Sequence, residues 1–529
     1  MRTLYRNAAI VPSAHPSADA DPRPTALVID HALGRIAWLG DDNGATIHAE
    51  EADEVIDLGG RLLTPGFADA HVHLTMTGQG LDGVDLSGTT SIAQALALVE
   101  QEARRTRGRP IYAHSWDETQ WAEGRPIAPT ELDRATYGGV VYMPRVDAHS
   151  ASVSTAMATI ARVRDLDGWD GVVARRDAFA AVTHAFTSSM TPVDRQRHLE
   201  LALGTAARCG LTLLHETGAT HLTSHDDIRD VLAAASAPGV PDVVTYWGEL
   251  TDDADVAGEI AEFLGILGLA GDLCADGSFG SFTAHVGEPY VGTDQHGYGY
   301  LTPSQVRDHV IACTRAGLQA GGHVIGDEGL RTMAAGFRAA AEVLGRDAIR
   351  AVRHRWEHVE LPDEEVVRTM ADLGIWASVQ PCFDGLWGGT EGLYAERLGP
   401  ERALQAVPLR TLVDAGVPLA LGSDSPVTRL GPWAAVRAAV WHHNPEQRLT
   451  VAEAVHAHTV GGYALAGLEG GVLEQGGPAT LVVWDDGQDG HIVTDPVTGL
   501  PVFDGPEAPL PVAERTVVGG LTAYLRPRP

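Results

Sequence analysis

Pro65-Gly66-Phe67-Ala68-Asp69-Ala70-His71-Val72-His73-Leu74 is the stretch from which the fold can be read. On a β-strand side chains alternate between faces, so His71 and His73 project the same way and two imidazoles can grip one cation. Alone, His-x-His equally describes two solvent-facing histidines on an edge strand. The balance shifts because further donors follow short apolar runs downstream: His323 in Gly-Gly-His-Val-Ile-Gly-Asp, His358 in Trp-Glu-His-Val-Glu and Asp424 in Leu-Gly-Ser-Asp-Ser-Pro. Each reads as the last inward residue of a strand.

Working outward, strand-like runs at 211–215, 243–247, 272–276, 318–324, 352–358, 375–380 and 418–424 alternate with Ala-rich helical stretches such as 303–316 and 363–373, the pattern of βα units around a parallel sheet. With the first run they number eight, as a TIM barrel requires, and their polar residues gather at the C-terminal ends where such a barrel holds its active site. The expected fold class is therefore α/β, a (β/α)8 TIM barrel over 62–464. Residues 1–61 and 465–529 hold short β-rich pieces too small to bury a core alone, and are expected to pair into one composite β-sandwich. The stretch 81–200 is too long for a βα loop and carries strand signals at 109–114 and 139–145, so it is read as an inserted subdomain capping the barrel mouth.

Composition narrows the function classes. Among 529 residues, 38 basic face 70 acidic ones, for a formal charge of -32, which repels nucleic acid and anionic membrane. Cys209, Cys274, Cys313 and Cys382 lack CxxC spacing, so no disulfide framework is expected. The first residues lack the apolar run of a signal peptide and no stretch has the length of a membrane span, so a soluble cytoplasmic protein is expected, with a small-molecule substrate as partner and a homo-oligomer left open. Every basic side chain is arginine. The absence of lysine excludes a Walker A lysine, a Schiff-base lysine and a carboxylated-lysine metal bridge.

At this point the chain resembles the metal-dependent amidohydrolase superfamily, in the branch of YtcJ-like proteins and N-substituted formamide deformylase. The resemblance spans nearly the full length. It is carried by Gly34-Arg35-Ile36, Asp57-Leu58-Gly59-Gly60-Arg61, the His-x-His, Trp116-Asp117-Glu118, Arg145-Val146-Asp147-Ala148-His149-Ser150 and Ala275-Asp276-Gly277-Ser278-Phe279-Gly280-Ser281. Further on it includes His323-Val324-Ile325-Gly326-Asp327, Glu357-His358, Gln380-Pro381 and Gly422-Ser423-Asp424. It implies a barrel with a β-sandwich from both termini, hydrolysing a carbon–nitrogen bond of a small molecule with one or two divalent ions. His71, His73, His323, His358 and Asp424 would hold the metal. Asp424 would also act as general base and acid, taking a proton from water and delivering it to the leaving nitrogen. Nitrogen and carboxylate donors suit Zn²⁺.

The chain departs from the resemblance at one ligand. Where the family places its bridging lysine, four residues before Asp276-Gly277, this sequence has Asp272. An aspartate oxygen reaches roughly 5 Å less far from the backbone than a lysine carbamate would, so on a strand Asp272 misses the bridging point, which favours a single ion. Asp272 is thus left open between a ligand and a carboxylate orienting a histidine, with Cys274 or Asp276, on the same face, as replacements. Substrate contacts are expected from Trp116, Arg145, His149, Asp276 and Gln380, and His215-Glu216 is read as ending the second strand. Two rivals stand beside the amidase reading: a mononuclear aminohydrolase (deaminase), and a metal-free relative kept as a binding or scaffold protein.

Overall fold

A computed structural model describes residues 1–14, 23–485 and 492–527. Eight parallel strands lie side by side in chain order: Phe67–Val72, Leu211–Ala219, Asp242–Gly248, Gly268–Leu269, Gln319–Val324, Arg355–His358, Trp376–Val379 and Leu419–Leu421. The first and last meet through the segment that follows the eighth. The Asp424 N–H donates to the His71 carbonyl at 2.8 Å, and the His73 N–H to that of Ser425 at 2.9 Å. Asp69 fastens the same seam by accepting the Ser423 N–H at 2.8 Å. Only glycine fits at 422, since a Cβ there would lie 2.7 Å from the His71 nitrogen and 2.9 Å from Asp69 Oδ1. The expected TIM barrel is present.

Helices fill the connections where local chemistry starts them. Thr302 and Gln305 form a capping box before Pro303–Arg315, and Asp363 accepts the Val366 N–H at 2.9 Å before Glu364–Leu373. Their apolar faces pack with Val324, Phe337 and Trp356 into the core outside the barrel strands.

The fourth strand corrects the sequence reading. It is the two-residue Gly268–Leu269, bonded to Tyr246 on one side and to Gln319 and Ala320 on the other, and not 272–276. Gly271 adopts a φ of 73° and turns the chain before Asp272, so the Asp272/Cys274/Asp276 alternation does not share a strand face. Cys274 makes a single parallel bridge with His323. The second strand runs on to Ala219, which leaves His215 and Glu216 within the strand and not at its end.

Two further sheets follow, the first from the N-terminal end alone and the second from both chain ends. One joins Arg35–Gly40, Ala26–Asp30, Arg2–Arg6 and Glu54–Asp57, and the other Ala9–Ile10, Leu62–Pro65, Leu481–Asp485, Val512–Val518 and Leu521–Leu525. Tyr5, Leu27 and Ile29 from the first share a core with Leu63, Leu481 and Val483 from the second. Period-two alternation turns Val482 and Trp484 the other way, into the barrel's core, where Trp484 packs edge-on to Phe67. The connection after this strand lies partly outside the described residues.

Between the first barrel strand and the second lies a five-stranded sheet: Val173–Arg175, Ser150–Val153, Val141–Pro144, Ile111–His114 and Val84–Asp85. Ile111, Ala113, Val141 and Met143 face one apolar cluster, Tyr112 and Tyr142 another, so helices cover both faces. The helix Pro192–Arg208, which straddles the expected boundary at 200, packs on the helix Leu74–Asp82 and on the second barrel strand, and so belongs to the barrel layer.

Candidate functional site

The C-terminal ends of the barrel strands bring six donor side chains together. His71 Nε2 lies 3.4 Å from Asp272 Oδ1 and 3.4 Å from Asp424 Oδ1, and His73 Nε2 lies 3.2 Å from Asp272 Oδ2 and 3.3 Å from Asp424 Oδ1. His323 Nδ1 lies 3.9 Å from Asp272 Oδ1. The rings of His71 and His323 stand 5.0 and 4.4 Å from that of His358. Three triads have all their donor atoms within 4.8 Å of one another: His71/His73/Asp272, His71/His358/Asp424 and Asp272/His323/His358.

The backbone pays locally for this convergence. His358, the last residue of its strand, and Val359 and Asp424, just past theirs, adopt left-handed φ of 70°, 51° and 54°, a conformation costing about 1 to 3 kcal/mol each outside glycine. The Val359 N–H donating to the Val324 carbonyl at 3.1 Å holds the turn in place.

Three of the histidines are oriented from behind. His71 Nδ1 donates to Glu357 Oε2 at 2.8 Å, His358 Nδ1 to Gln380 Oε1 at 2.8 Å, and His323 Nε2 to the Gly277 carbonyl at 3.1 Å. Because each of these partners is an acceptor, the other ring nitrogen is the one turned toward the centre. Glu357 is itself clasped by Arg355, whose Nε and Nη2 lie 2.5 and 2.8 Å from its carboxylate while Nη1 meets His215 Nδ1 at 2.9 Å and the guanidinium sits 4.2 Å over the Tyr246 ring. Burial would raise the Glu357 carboxyl, but Arg355 and His71 hold it well below the usual carboxylate range. Neither Arg355 nor Glu357 was assigned a role from sequence.

Titration within the centre follows the two carboxylates. Burial lowers all four histidines, yet Asp424 and Asp272 leave His71 above its ordinary value and Asp272 leaves His73 well above it. Burial and the neighbouring rings put His323 well below, and burial puts His358 below.

Several expected substrate contacts have other partners. Trp116 is buried in the insertion's core, stacked on Trp121, its indole N–H bonded to the Met143 carbonyl at 2.8 Å. Arg145 is buried in ion pairs with Glu118 at 2.8 Å, Asp117 at 3.0 Å and Asp147 at 3.2 Å. Ser278 and Ser281 donate to Asp147, and Arg397 to Glu118, each at 2.8 Å, which ties the insertion to the barrel. Asp276 accepts the N–H groups of Ile325 and His285 at 2.9 Å and of Gly326 at 2.8 Å, a clamp on the loop after His323. Gln380 gives its Oε1 to His358 at 2.8 Å, while its Nε2 is buried without a partner. Glu216 accepts the Leu74 N–H at 2.6 Å, at the start of the helix after His73. Cys274 contacts His221 at 3.6 Å and belongs to none of the triads.

His149 does reach the mouth, its ring 4.7 Å from that of His323. It lines a narrow cleft with Asp424, His358, Glu360 and an apolar wall of Phe279, Ile325, Phe383, Trp387 and Tyr394. Glu360 is the residue sequence gave no reason to choose: it is buried, its Oε2 has no partner, and burial pushes its carboxyl up to about 8 against the opposing bond from Tyr394.

The amidohydrolase family model matches residues 54–524. The chain belongs to the amidohydrolase family. This amidohydrolase is 27% identical to the protein LONG AFTER FAR-RED 3 of Arabidopsis thaliana over 82% of its own length and 80% of the relative's. It is 23% identical to N-substituted formamide deformylase of Arthrobacter pascens, covering 85% of this chain and 88% of that one. An uncharacterized metal-dependent hydrolase from Pyrococcus furiosus superposes with a TM-score of 0.69 at 24% identity, over 91% of this chain and 98% of that one. The chain is an enzyme that hydrolyses carbon–nitrogen bonds other than peptide bonds. Among the described residues no helix is long and apolar enough to cross a membrane.

Proposed function

We propose that this amidohydrolase cleaves an amide-type bond of a small molecule at a divalent centre held by His71, His73, Asp272, His323, His358 and Asp424, with Asp424 as general base and acid. One observation carries the reading. His71 Nε2, His358 Nε2 and Asp272 Oδ1 are buried, point at one another's surroundings and have no hydrogen-bond partner, a costly arrangement for a protein that keeps nothing between them. Nitrogen donors with carboxylates fit Zn²⁺. Such an ion supplies Lewis acidity, polarising a carbonyl and making water acidic.

The chain's own groups do the rest. Asp424 borders both the histidine cluster and the cleft, so one carboxylate can take a proton from water on one side and present it to a leaving nitrogen on the other. The aromatic wall offers the cleft an apolar face for the substrate's carbon skeleton. The test is to assay the purified, metal-analysed enzyme on N-substituted formamides, N-acyl amines and cyclic amides. Stoichiometric metal with amine release supports the reading, ammonia release from an amino-heterocycle turns it to a deaminase, and absence of bound metal overturns it.

Two expectations arise here. In the ion-free protein the carboxylates hold His73 well above its ordinary value, and its proton must leave before its nitrogen binds, so uptake of Zn²⁺ at pH 7 releases protons and affinity falls as pH drops. Calorimetry in buffers of different ionisation enthalpy counts them, and zero release contradicts the assignment. Second, the Glu360 carboxyl, bonded by Tyr394, keeps a buried Oε2 without a partner in the aromatic cleft, and that atom is expected to meet a polar atom of the substrate. Glu360→Leu should raise KM by about two- to tenfold, the worth of a hydrogen bond between uncharged groups, with kcat changed less.

A further inference from the structure

One tight turn of the insertion is built into the barrel mouth. Between the strands Val141–Pro144 and Ser150–Val153 the Arg145 N–H donates to the Ser150 carbonyl at 2.8 Å and the Ala148 N–H to the Arg145 carbonyl at 2.9 Å, with Ala148 left-handed at φ 52°. Asp147, at the tip, is held from both sides. Arg145 Nη1 lies 3.2 Å away within the insertion, and the Ser278 and Ser281 hydroxyls donate to it from the barrel at 2.8 Å. The barrel loop is moulded to this tip, since a Cβ on Gly280 would lie 2.5 Å from both Asp147 Oδ2 and Arg145 Nη1. The next side chain but one is His149. Its N–H leans on Asp147 Oδ1 at 3.4 Å, and its half-buried ring stands 4.7 Å from that of His323 and lines the cleft. The other two imidazoles of the cleft give one ring nitrogen each to Gly277 and Gln380. Among the described residues the ring nitrogens of His149 make no hydrogen bond.

We infer that the insertion completes the substrate site: His149 donates a ring N–H to the acyl oxygen of the bound substrate, and Asp147 is its positioning residue. The inference rests on the metal-dependent reading above and adds to it a group that is not among the six donors. An imidazole on a free loop would sample many orientations and lose most of its worth as a donor, because ordering it on binding costs free energy. Here the ordering is done in advance. A buried arginine, two serines and a glycine that admits no side chain fix the residue two positions ahead of the ring and the carboxylate on which its backbone rests. The buried cluster of Arg145 with Asp117, Glu118 and Asp147 thereby acquires a purpose beyond docking, since it sets where His149 stands in the cleft.

The test titrates acetohydroxamate, whose carbonyl oxygen stands in for the acyl oxygen, into the Zn²⁺-loaded full chain by calorimetry, with metal content measured alongside. His149→Ala should weaken binding by about three- to tenfold, the worth of one hydrogen bond, and His149→Gln, which restores an N–H donor, should recover part of the loss. Asp147→Asn keeps acceptors for both serines but gives up the charge facing Arg145, and should weaken binding by about threefold. Combined with His149→Ala it should add nothing, because a positioning residue acts only through the group it positions. All variants should hold as much Zn²⁺ as the wild type. Acetohydroxamate binding to His149→Ala within twofold of the wild type, or loss of Zn²⁺ from that variant, overturns the substrate contact. An Asp147→Asn effect that persists in full without His149 overturns the positioning role. A wild type that takes up no Zn²⁺ overturns the metal-dependent reading itself, and this inference with it.

Discussion

Asp424→Asn is expected to lower kcat by about 10²- to 10⁴-fold, the worth of positioned proton transfer, while the protein unfolds at the same temperature as the wild type. The substitution is chosen because the backbone at this position is left-handed, with φ 54°, and asparagine is among the few residues that accept that conformation readily. The Asp424 N–H bond to His71, which closes the barrel, is made by main chain and survives. What is lost is the negative charge 3.3 and 3.4 Å from two imidazoles and the capacity to carry a proton. Amine release from an amide substrate, measured alongside metal content, separates the two losses. Turnover within tenfold of the wild type, with the metal still bound, would remove Asp424 from proton transfer.

What the sequence made legible follows from how each residue is positioned. His71 and His73 were readable because two residues on a strand share a face, and the barrel because eight apolar runs recur with helical spacers. His358 breaks that rule. Arg355 and Glu357 take the inward positions of their strand, so strict alternation would send His358 outward; it joins the centre because the chain turns left-handed at its own φ of 70°. The Arg-x-Glu spacing within an apolar strand was the available signal for the buried pair, since two charges on one inward face must satisfy each other. Asp272 was misplaced because nothing in Gly-Leu-Ala-Gly-Asp states which glycine ends the strand. For Trp116 and Arg145 side-chain chemistry suggests a pocket, and it does not reveal the packing they also serve, an aromatic core in the insertion and a buried ion-pair cluster facing the barrel. Trp387, Tyr394 and Glu360 were invisible because tertiary packing after the sixth and seventh strands brings them to the cleft.

Arg355→Met should destabilise the barrel by about 3 to 5 kcal/mol, the cost of leaving one partner of a buried ion pair uncompensated. Arg355 and Glu357 are both fully buried, and the guanidinium is spent on Glu357, His215 and the barrel wall at Ser378, so methionine replaces its volume and none of its bonds. The urea midpoint reads the loss. Arg355→Met with Glu357→Met should recover part of it, because the stranded charge is gone and apolar pairs of similar volume pack well in such places. The two variants should diverge in metal binding. Glu357 is the acceptor that holds His71 Nδ1, and removing an orienting partner of this kind costs about 10- to 100-fold in metal affinity. The double variant is therefore expected to be more stable than Arg355→Met yet to bind Zn²⁺ more weakly than it. If instead affinity rises with stability across the pair, the Arg355–Glu357–His71 chain is merely part of the core and His71 is positioned by something else.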